Sequence, residues 1–164
     1  LEENYVGTIS ADLEKIGLWG HSNGGHIALS TIAISGKPYP TVLWAPVSKS
    51  FPYSILYYTD ESDDQGKGMR KYLADFEELY DTKLFSPEKY YRWIKAPILI
   101  NQVTADQEVP FWWSDELVEI LEDNDLDVTY FTHPEANHNL LPNGWSEAGT
   151  NTIDFYKKEF SGAL

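Results

Sequence analysis

The residues best suited to chemistry form a short glycine-rich motif around one serine. Gly20, Ser22 and Gly24 follow the pattern G-x-S-x-G. A serine hydroxyl is a weak nucleophile unless a neighbouring base removes its proton and nothing crowds its approach. A tight turn that exposes the hydroxyl meets the second requirement. The motif therefore predicts Ser22 as the nucleophile in an attack on a carbonyl carbon.

The segments on either side of Ser22 support this interpretation. Residues 15–19 form an apolar run typical of a buried strand, and residues 23–35 have the apolar spacing of a helix. In such a turn the two glycines are expected to be needed because side chains there would collide. The backbone amide of Asn23, at the start of the helix, is predicted to stabilise the oxyanion. The alternative is a glycine-rich turn in which Ser22 only caps the helix.

Four short apolar runs predict the strands that position this motif. They are residues 15–19, 41–45, 97–102 and 127–133. Three segments with helical spacing alternate with these strands or follow them, at residues 23–35, 112–122 and 145–160. Strands that alternate with helices indicate an α/β fold, with a mainly parallel sheet and helices on both faces.

The segment between the second and third strands is about twice as long as a crossover needs. Residues 49–95 contain an acidic loop, helical spacing around 70–80 and a short helix predicted from Ser86. Serine suits the N-cap of that helix, and Pro87 suits its first position. Insertions at this level of an α/β sheet often cover a pocket. We therefore predict a lid-like insertion, with an inert surface excursion as the alternative.

Several segments resemble those of the α/β-hydrolase superfamily, and most of all its esterase and prolyl-oligopeptidase-like branch, which includes dienelactone-hydrolase-like proteins. Residues 20–25 (G-H-S-N-G-G) resemble the nucleophile elbow, 86–100 the approach to the seventh strand, 104–110 the acid loop and 134–140 the histidine loop. The resemblance implies a Ser-His-Asp triad with Asp106 as the acid and His138 as the base.

The order and spacing of these residues agree with the resemblance. Asp106 follows Ser22 by 84 positions, and His138 follows Asp106 by 32. The order Ser, Asp, His is the one that this fold requires. Both later residues fall just beyond a predicted strand, at the edge where open α/β sheets build their sites. His138 is then expected to take the proton of Ser22, while Asp106 orients the imidazole.

Two neighbouring residues leave the assignment of acid and base open. Glu108 lies two positions from Asp106 and is the alternative acid. His133 lies at the end of a predicted strand and is the alternative base to His138, although a packed or solvated histidine is the favoured interpretation.

Other residues near the motif are predicted to have supporting roles. His26 lies one helical turn past Ser22, behind the elbow, where a place in the core or in support of the site is favoured. His21 occupies a variable position of the motif. The aromatic residues at 111–113 could line an acyl pocket, but packing at the start of a helix is slightly favoured.

Composition excludes several classes of partner and cofactor. The chain has 12 basic and 26 acidic residues, a net charge of −14, which would repel nucleic acid and anionic membranes. The acidic stretches at 60–64 and 115–127 are expected to be solvated faces, with a site for a cationic substrate as the alternative. Cysteine is absent, and the four histidines form no H-E-x-x-H motif, so neither a metal nor another cofactor is expected. No apolar run is long enough to span a bilayer, and the sequence indicates no compartment.

The resemblance covers the chain but only part of the family's domain. Before the first predicted strand stand 14 residues, with a helix end predicted at 2–13, where a family member has several strands. The sequence begins with Leu1 rather than Met, so we expect the natural amino terminus to lie upstream. The chain, residues 1–164, is thus predicted to be one incomplete domain that lacks the amino-terminal strands and the loop with the second oxyanion amide. An amino-terminal fragment or a second copy is expected to pair with the open edge of strand 15–19.

The predicted function is the hydrolysis of carboxylic ester bonds in a small molecule through an acyl-enzyme intermediate. A serine peptidase of the prolyl-oligopeptidase type, acting on peptides, is the first alternative. It is less favoured because such peptidases usually carry a separate substrate-gating domain. A catalytically silent hydrolase-like domain used for binding is the second alternative, which the presence of all three triad residue types disfavours.

Overall fold

The structure is a computed structural model that describes Asp12 and residues 15–162. Apart from Asp12, the helix end predicted at residues 2–13 lies outside the described residues.

Four parallel strands form one sheet in chain order. They are β1 (Leu18–His21), β2 (Thr41–Trp44), β3 (Ile98–Val103) and β4 (Val128–His133). The register places Leu18 beside Thr41, Thr41 beside Ile98, and Ile98 beside Val128. All four strands run in the same direction, so the loops that follow them lie at one edge of the sheet.

Helices connect the strands and follow the last one. They are α1 (Asn23–Ser35), α2 (Tyr53–Thr59), α3 (Lys67–Glu77), α4 (Phe111–Asp123) and α5 (Trp145–Ser161). Two 3₁₀ segments, Thr82–Phe85 and Pro87–Trp93, lead from α3 towards β3. Within the described residues, no helix combines the length and apolar character that a bilayer crossing needs.

The two faces of the sheet are covered by different helices. Alternate residues of a strand point to opposite faces. On one face, strand residues pack with α1 and α4, in a cluster that includes Leu29, Ile32, Leu43, Ile98, Ile100, Leu117 and Leu121. On the other face they pack with α5, in a cluster that includes Val42, Trp44, Leu99, Val103, Ala148 and Phe155. The predicted fold class, a parallel α/β sheet with helices on both faces, is confirmed.

The first strand differs most from its prediction. Residues 15–19 were expected to form it, whereas β1 covers Leu18–His21. Gly20 and His21 are part of the sequence motif, yet they pair with Leu43 and Trp44 of β2. The strand therefore continues to the residue directly before Ser22. The other three strands begin and end within one residue of their predicted bounds.

The segment 49–95 also differs from its prediction. Helix α2 was not predicted, because the mixed tyrosine and aliphatic sequence of Tyr53–Thr59 shows no clear helical spacing. The helix expected from Ser86 is a 3₁₀ segment, Pro87–Trp93. Ser86 stands at its N-cap, but its hydroxyl is buried and makes no hydrogen bond.

Candidate active site

Ser22 occupies the turn between β1 and α1 in a backbone conformation that is rare for a residue other than glycine. Its φ is 55° and its ψ is −122°. Its N–H donates to the carbonyl of Trp44, and its carbonyl accepts from the N–H groups of Gly25 and Val47, each at 3.0 Å. The surrounding backbone thus holds the strained residue from both sides and leaves its side chain facing a cavity.

Close packing around this turn requires glycine at positions 20 and 25. A Cβ added to Gly20 would lie 2.3 Å from the carbonyl oxygen of Gly24, and one added to Gly25 would lie 2.5 Å from the Cβ of Pro46. A Cβ on Gly24 would meet no atom within 4 Å. The expected collision at Gly24 was therefore wrong, because this position of α1 faces open space and the next one faces Pro46.

Asp106 and His138 lie in the loops after β3 and β4 and contact each other directly. His138 Nδ1 donates to Asp106 Oδ2 at 2.9 Å, and Asp106 Oδ1 accepts from the N–H groups of Glu108 and Val109 at 2.9 Å. The amide nitrogen of Gln102 donates to Oδ2 at 3.3 Å. The Asp106 side chain is fully buried. Because Nδ1 carries the proton in this contact, Nε2 of the neutral imidazole is left as a proton acceptor.

The electrostatics of the pair favour a charged aspartate. Burial raises the pKa of the Asp106 carboxyl, but the hydrogen bonds from His138 and from two backbone N–H groups outweigh burial and hold that pKa below its ordinary value. Burial lowers the pKa of the His138 imidazole, but the hydrogen bond and charge of Asp106, together with the charge of Glu108, raise it above its ordinary value. The site therefore stabilises His138 once it has accepted a proton.

The loop of His138 lies against the turn that carries Ser22. His21 Nε2 donates to the backbone carbonyl of His138 at 3.0 Å, and the centres of the two rings are 4.7 Å apart. Within the described part of the chain, no hydrogen bond joins the Ser22 hydroxyl to His138. The structure thus brings the predicted base and acid into contact and places the base beside the nucleophile turn.

His21 is a feature of the site that the sequence did not reveal. The motif treats its position as variable, and 117 positions separate it from the loop that it contacts. No spacing rule links residues so far apart, so only the fold identifies this contact.

A cavity of about 810 Å³ opens beside Ser22. Its lining is mainly apolar and includes Ile27, Val47, Phe51, Ile55, Tyr58, Phe85 and Val109. Six of its thirteen lining residues come from the segment 49–95. That segment therefore forms one wall of the space in front of the serine.

The alternative acid and base, and the neighbouring His26, lie in different surroundings. Glu108 lines the cavity, with its Oε2 at 3.9 Å from His138 Nε2. His26 also lines the cavity, rather than lying behind the turn, and burial lowers the pKa of its imidazole. His133 is buried, with its Nε2 at 2.9 Å from the Oδ1 of Asn101.

None of the aromatic residues at 111–113 lines this cavity, and Phe111 and Trp112 are exposed. Trp113 is completely buried and packs with Val47 and Val109. Its ring also lies 6.0 Å from that of Tyr58, which does line the cavity. Among the residues that the structure describes, no group of three or more histidine and acidic side chains is arranged to hold a metal ion.

The sequence of this chain matches a known family over almost its whole length. The model described as the prolyl oligopeptidase family matches residues 5–162. Acylamino-acid-releasing enzymes of Rattus norvegicus and Mus musculus are each 25% identical to it over 148 residues, a match that covers 79% of this chain and 18% of each relative. The chain therefore spans less than a fifth of the length of these relatives.

Solved structures with a similar fold include peptidases and esterases. Dipeptidyl peptidase 4 of Porphyromonas gingivalis has a TM-score of 0.69 at 20% identity, over 90% of this chain and 20% of that one. A carboxylesterase of Lactobacillus plantarum has a TM-score of 0.57 at 17% identity, over 83% of this chain and 50% of that one. The resemblance to α/β-hydrolases inferred from the sequence motifs is confirmed.

Proposed function

The chain belongs to the prolyl oligopeptidase family, and we propose that it carries the active site of a serine hydrolase with Ser22 as nucleophile, His138 as base and Asp106 as acid. The observation that carries this proposal is the 2.9 Å hydrogen bond from His138 Nδ1 to the buried Asp106 carboxylate, in loops at the same sheet edge as the strained serine turn. This contact leaves Nε2 of His138 as the proton acceptor.

In the first step, the Ser22 hydroxyl attacks the carbonyl carbon of the substrate while His138 Nε2 takes its proton. The N–H of Asn23 stabilises the charge on the resulting oxyanion. This N–H is available because Asn23 begins helix α1, and the first N–H groups of a helix have no partner within it. His138 then gives the proton to the leaving group as its bond to the carbonyl carbon breaks. A water molecule then takes the place of the serine hydroxyl in the same steps and releases the acyl group. Asp106 stabilises the imidazolium during both acylation and deacylation.

The hydrogen bond from Ser22 to His138 is proposed to form with substrate in place. Hydrogen bonds of this kind are often long in unliganded sites and shorten in the substrate complex. His21, the residue directly before Ser22, already bonds to the His138 backbone, so a movement of the imidazole towards Ser22 is proposed to complete the relay.

We propose an amide bond as the physiological target, in a peptide or an N-acylated amino acid. Membership of the prolyl oligopeptidase family and the likeness to acylamino-acid-releasing enzymes favour this bond over the carboxylic ester that the sequence alone suggested. The apolar cavity beside Ser22 is suited to an apolar side chain of the acyl part. The segment 49–95 is proposed to act as a lid, because it supplies one wall of this cavity.

Matched substrates test this function. We expect the purified protein to hydrolyse an N-acetyl aminoacyl anilide and the corresponding ester, and Ser22→Ala to lower both rates by about 10⁴-fold or more. The matched control is Ser146→Ala, which changes an exposed serine on α5 and should leave both rates unchanged. Cleavage of the ester alone would support the esterase alternative, and cleavage of neither, even with an amino-terminal segment of the protein supplied, would support the silent domain.

A further inference from the structure

The cavity beside Ser22 has one formally charged side chain in its lining. Of its thirteen lining residues, only Glu108 is an acidic residue, and none is lysine or arginine. The Glu108 side chain is 69% exposed, so its carboxylate lies at the open side of the cavity. A ligand that enters the cavity therefore meets a negative charge at its entrance.

This carboxylate lies close to the position where the substrate bond would be cleaved. Its Oε2 is 3.9 Å from His138 Nε2, the atom proposed to take and return the proton. That distance is too long for a hydrogen bond, so the carboxylate can accept one from a ligand. A cationic group attached near the scissile bond would thus lie within reach of Glu108.

While His138 is neutral, as a base must be, no lysine or arginine among the described residues of the cavity lining offsets this charge. Among the described lining residues, only His26 could carry a positive charge, and burial lowers the pKa of its imidazole, which favours the neutral form. Burial, with smaller effects of Tyr57, Asp106 and Glu108, raises the pKa of Tyr58 to about 12. Tyr58 is therefore uncharged near pH 7 and does not offset the Glu108 carboxylate.

We propose that Glu108 is a specificity-determining residue that favours substrates with a cationic group, such as a protonated amine, within one residue of the bond that is cleaved. This inference rests on the proposed function, since it requires Ser22 to be the nucleophile. The overall net charge of −14 would also attract such substrates.

An effect on charge selection must be separated from an effect on the base. Removal of the Glu108 charge also lowers the pKa of His138, but this change acts on every substrate alike. The ratio of rates for a cationic and a neutral substrate cancels it. Because Glu108 is largely exposed, its contribution to that ratio is expected to be modest, about two- to fivefold.

Two active-site phosphonate probes of equal size provide the test. One ends in an ammonium group and the other in a neutral methyl group, and each phosphonylates the reactive serine with loss of the same leaving group. We expect the ratio of their labelling rate constants, cationic over neutral, to fall about two- to fivefold in Glu108→Gln. In Glu108→Lys the ratio should fall further, and in the unaltered protein it should fall as salt concentration rises. Glu119→Gln is the matched control, because it removes the same charge from an exposed residue of α4 that does not line the cavity.

The possible results separate the inference from the function on which it rests. Labelling of Ser22 with the same ratio in the unaltered protein and both Glu108 variants overturns the inference and leaves the proposed function intact. An equal fall in Glu119→Gln also overturns it, because the preference would then come from the overall charge. If neither probe labels Ser22, the proposed function fails and the inference fails with it.

Discussion

At the scale of single residues, the contact of His21 with the His138 backbone holds the proposed base in position. The imidazole of His21 donates to the carbonyl of His138 at 3.0 Å, from the position directly before Ser22. His21 is therefore a positioning residue, since it touches the loop that carries the base rather than the reacting atoms.

His21→Leu should lower kcat by about tenfold or more and leave KM nearly unchanged, because a displaced base slows the chemical step. His21→Gln keeps a side-chain donor and should recover much of that loss. Steady-state kinetics of both variants with one acyl anilide would check this. Equal losses in the two variants would show that the hydrogen bond does not position the base.

The pH dependence of activity follows from the charges around His138. The base must be neutral to accept the proton of Ser22, and Asp106 and Glu108 raise its pKa above the ordinary value of 6.5. Activity should therefore be lost as pH falls through a midpoint above 6.5. Glu108→Gln removes one of the two negative charges, so this midpoint should move to lower pH. Profiles of kcat/KM against pH measure both midpoints, and a midpoint at or below 6.5 in the unaltered protein would contradict this view.

Motif resemblance and chain order were sufficient to predict that Asp106 and His138 meet, at the sheet edge where Ser22 occupies a tight turn. Ser22 was identified from its glycine-rich turn, and Asp106 and His138 from loops that follow strands. The contact of His21 could not be predicted, because it depends on how two distant loops approach each other. The need for glycine at position 25 rather than 24 was also missed, because it depends on the exact path of the backbone past Pro46.

At the scale of elements, the strands were easier to predict than the insertion. Strands β2 and β3 are buried along their whole length, and three of the four strands lie within one residue of the prediction. Helix α2 was missed because Tyr53–Thr59 is rich in aromatic and branched residues, which by themselves favour strands. The ring of Tyr57 lies 4.9 Å from that of Trp113, so this tertiary packing stabilises a helix that local preference does not.

Two neighbouring glycines of α1 give a matched test of the turn. Gly25→Ala should lower the free energy of unfolding by about 1–3 kcal/mol, because its Cβ would overlap Pro46. Gly24→Ala should leave it unchanged or raise it by up to about 1 kcal/mol, since alanine favours a helix and its Cβ meets open space. Urea denaturation of both variants would check this. Equal destabilisation by the two substitutions would contradict the geometry described for the turn.

At the scale of the whole molecule, β1 has a neighbouring strand on one side only among the strands that the structure describes. The N–H groups of Leu18 and Ser22 donate to the carbonyls of Pro40 and Trp44, so the backbone groups of Trp19 and His21 point away from β2. Trp19 is also 52% exposed. We propose that another strand pairs with this edge, from an amino-terminal segment of the same protein or from a second copy of the chain.

The chain expressed alone should associate with itself in a concentration-dependent manner, because an open strand edge recruits another strand. Trp19→Lys should weaken this association, since lysine on an edge strand disfavours pairing. Light scattering across a concentration series would measure both. A chain that stays monomeric throughout would contradict self-pairing at this edge, and addition of an amino-terminal segment would then test the other partner.

The proposed relay of Ser22, His138 and Asp106 is tested most directly by mapping the residue that a fluorophosphonate probe modifies. We predict a single modified peptide, with the probe on Ser22, and a labelling rate that falls sharply in His138→Ala and to a smaller extent in Asp106→Asn. Modification of a different serine, or labelling of Ser22 at the same rate without His138, would contradict the account.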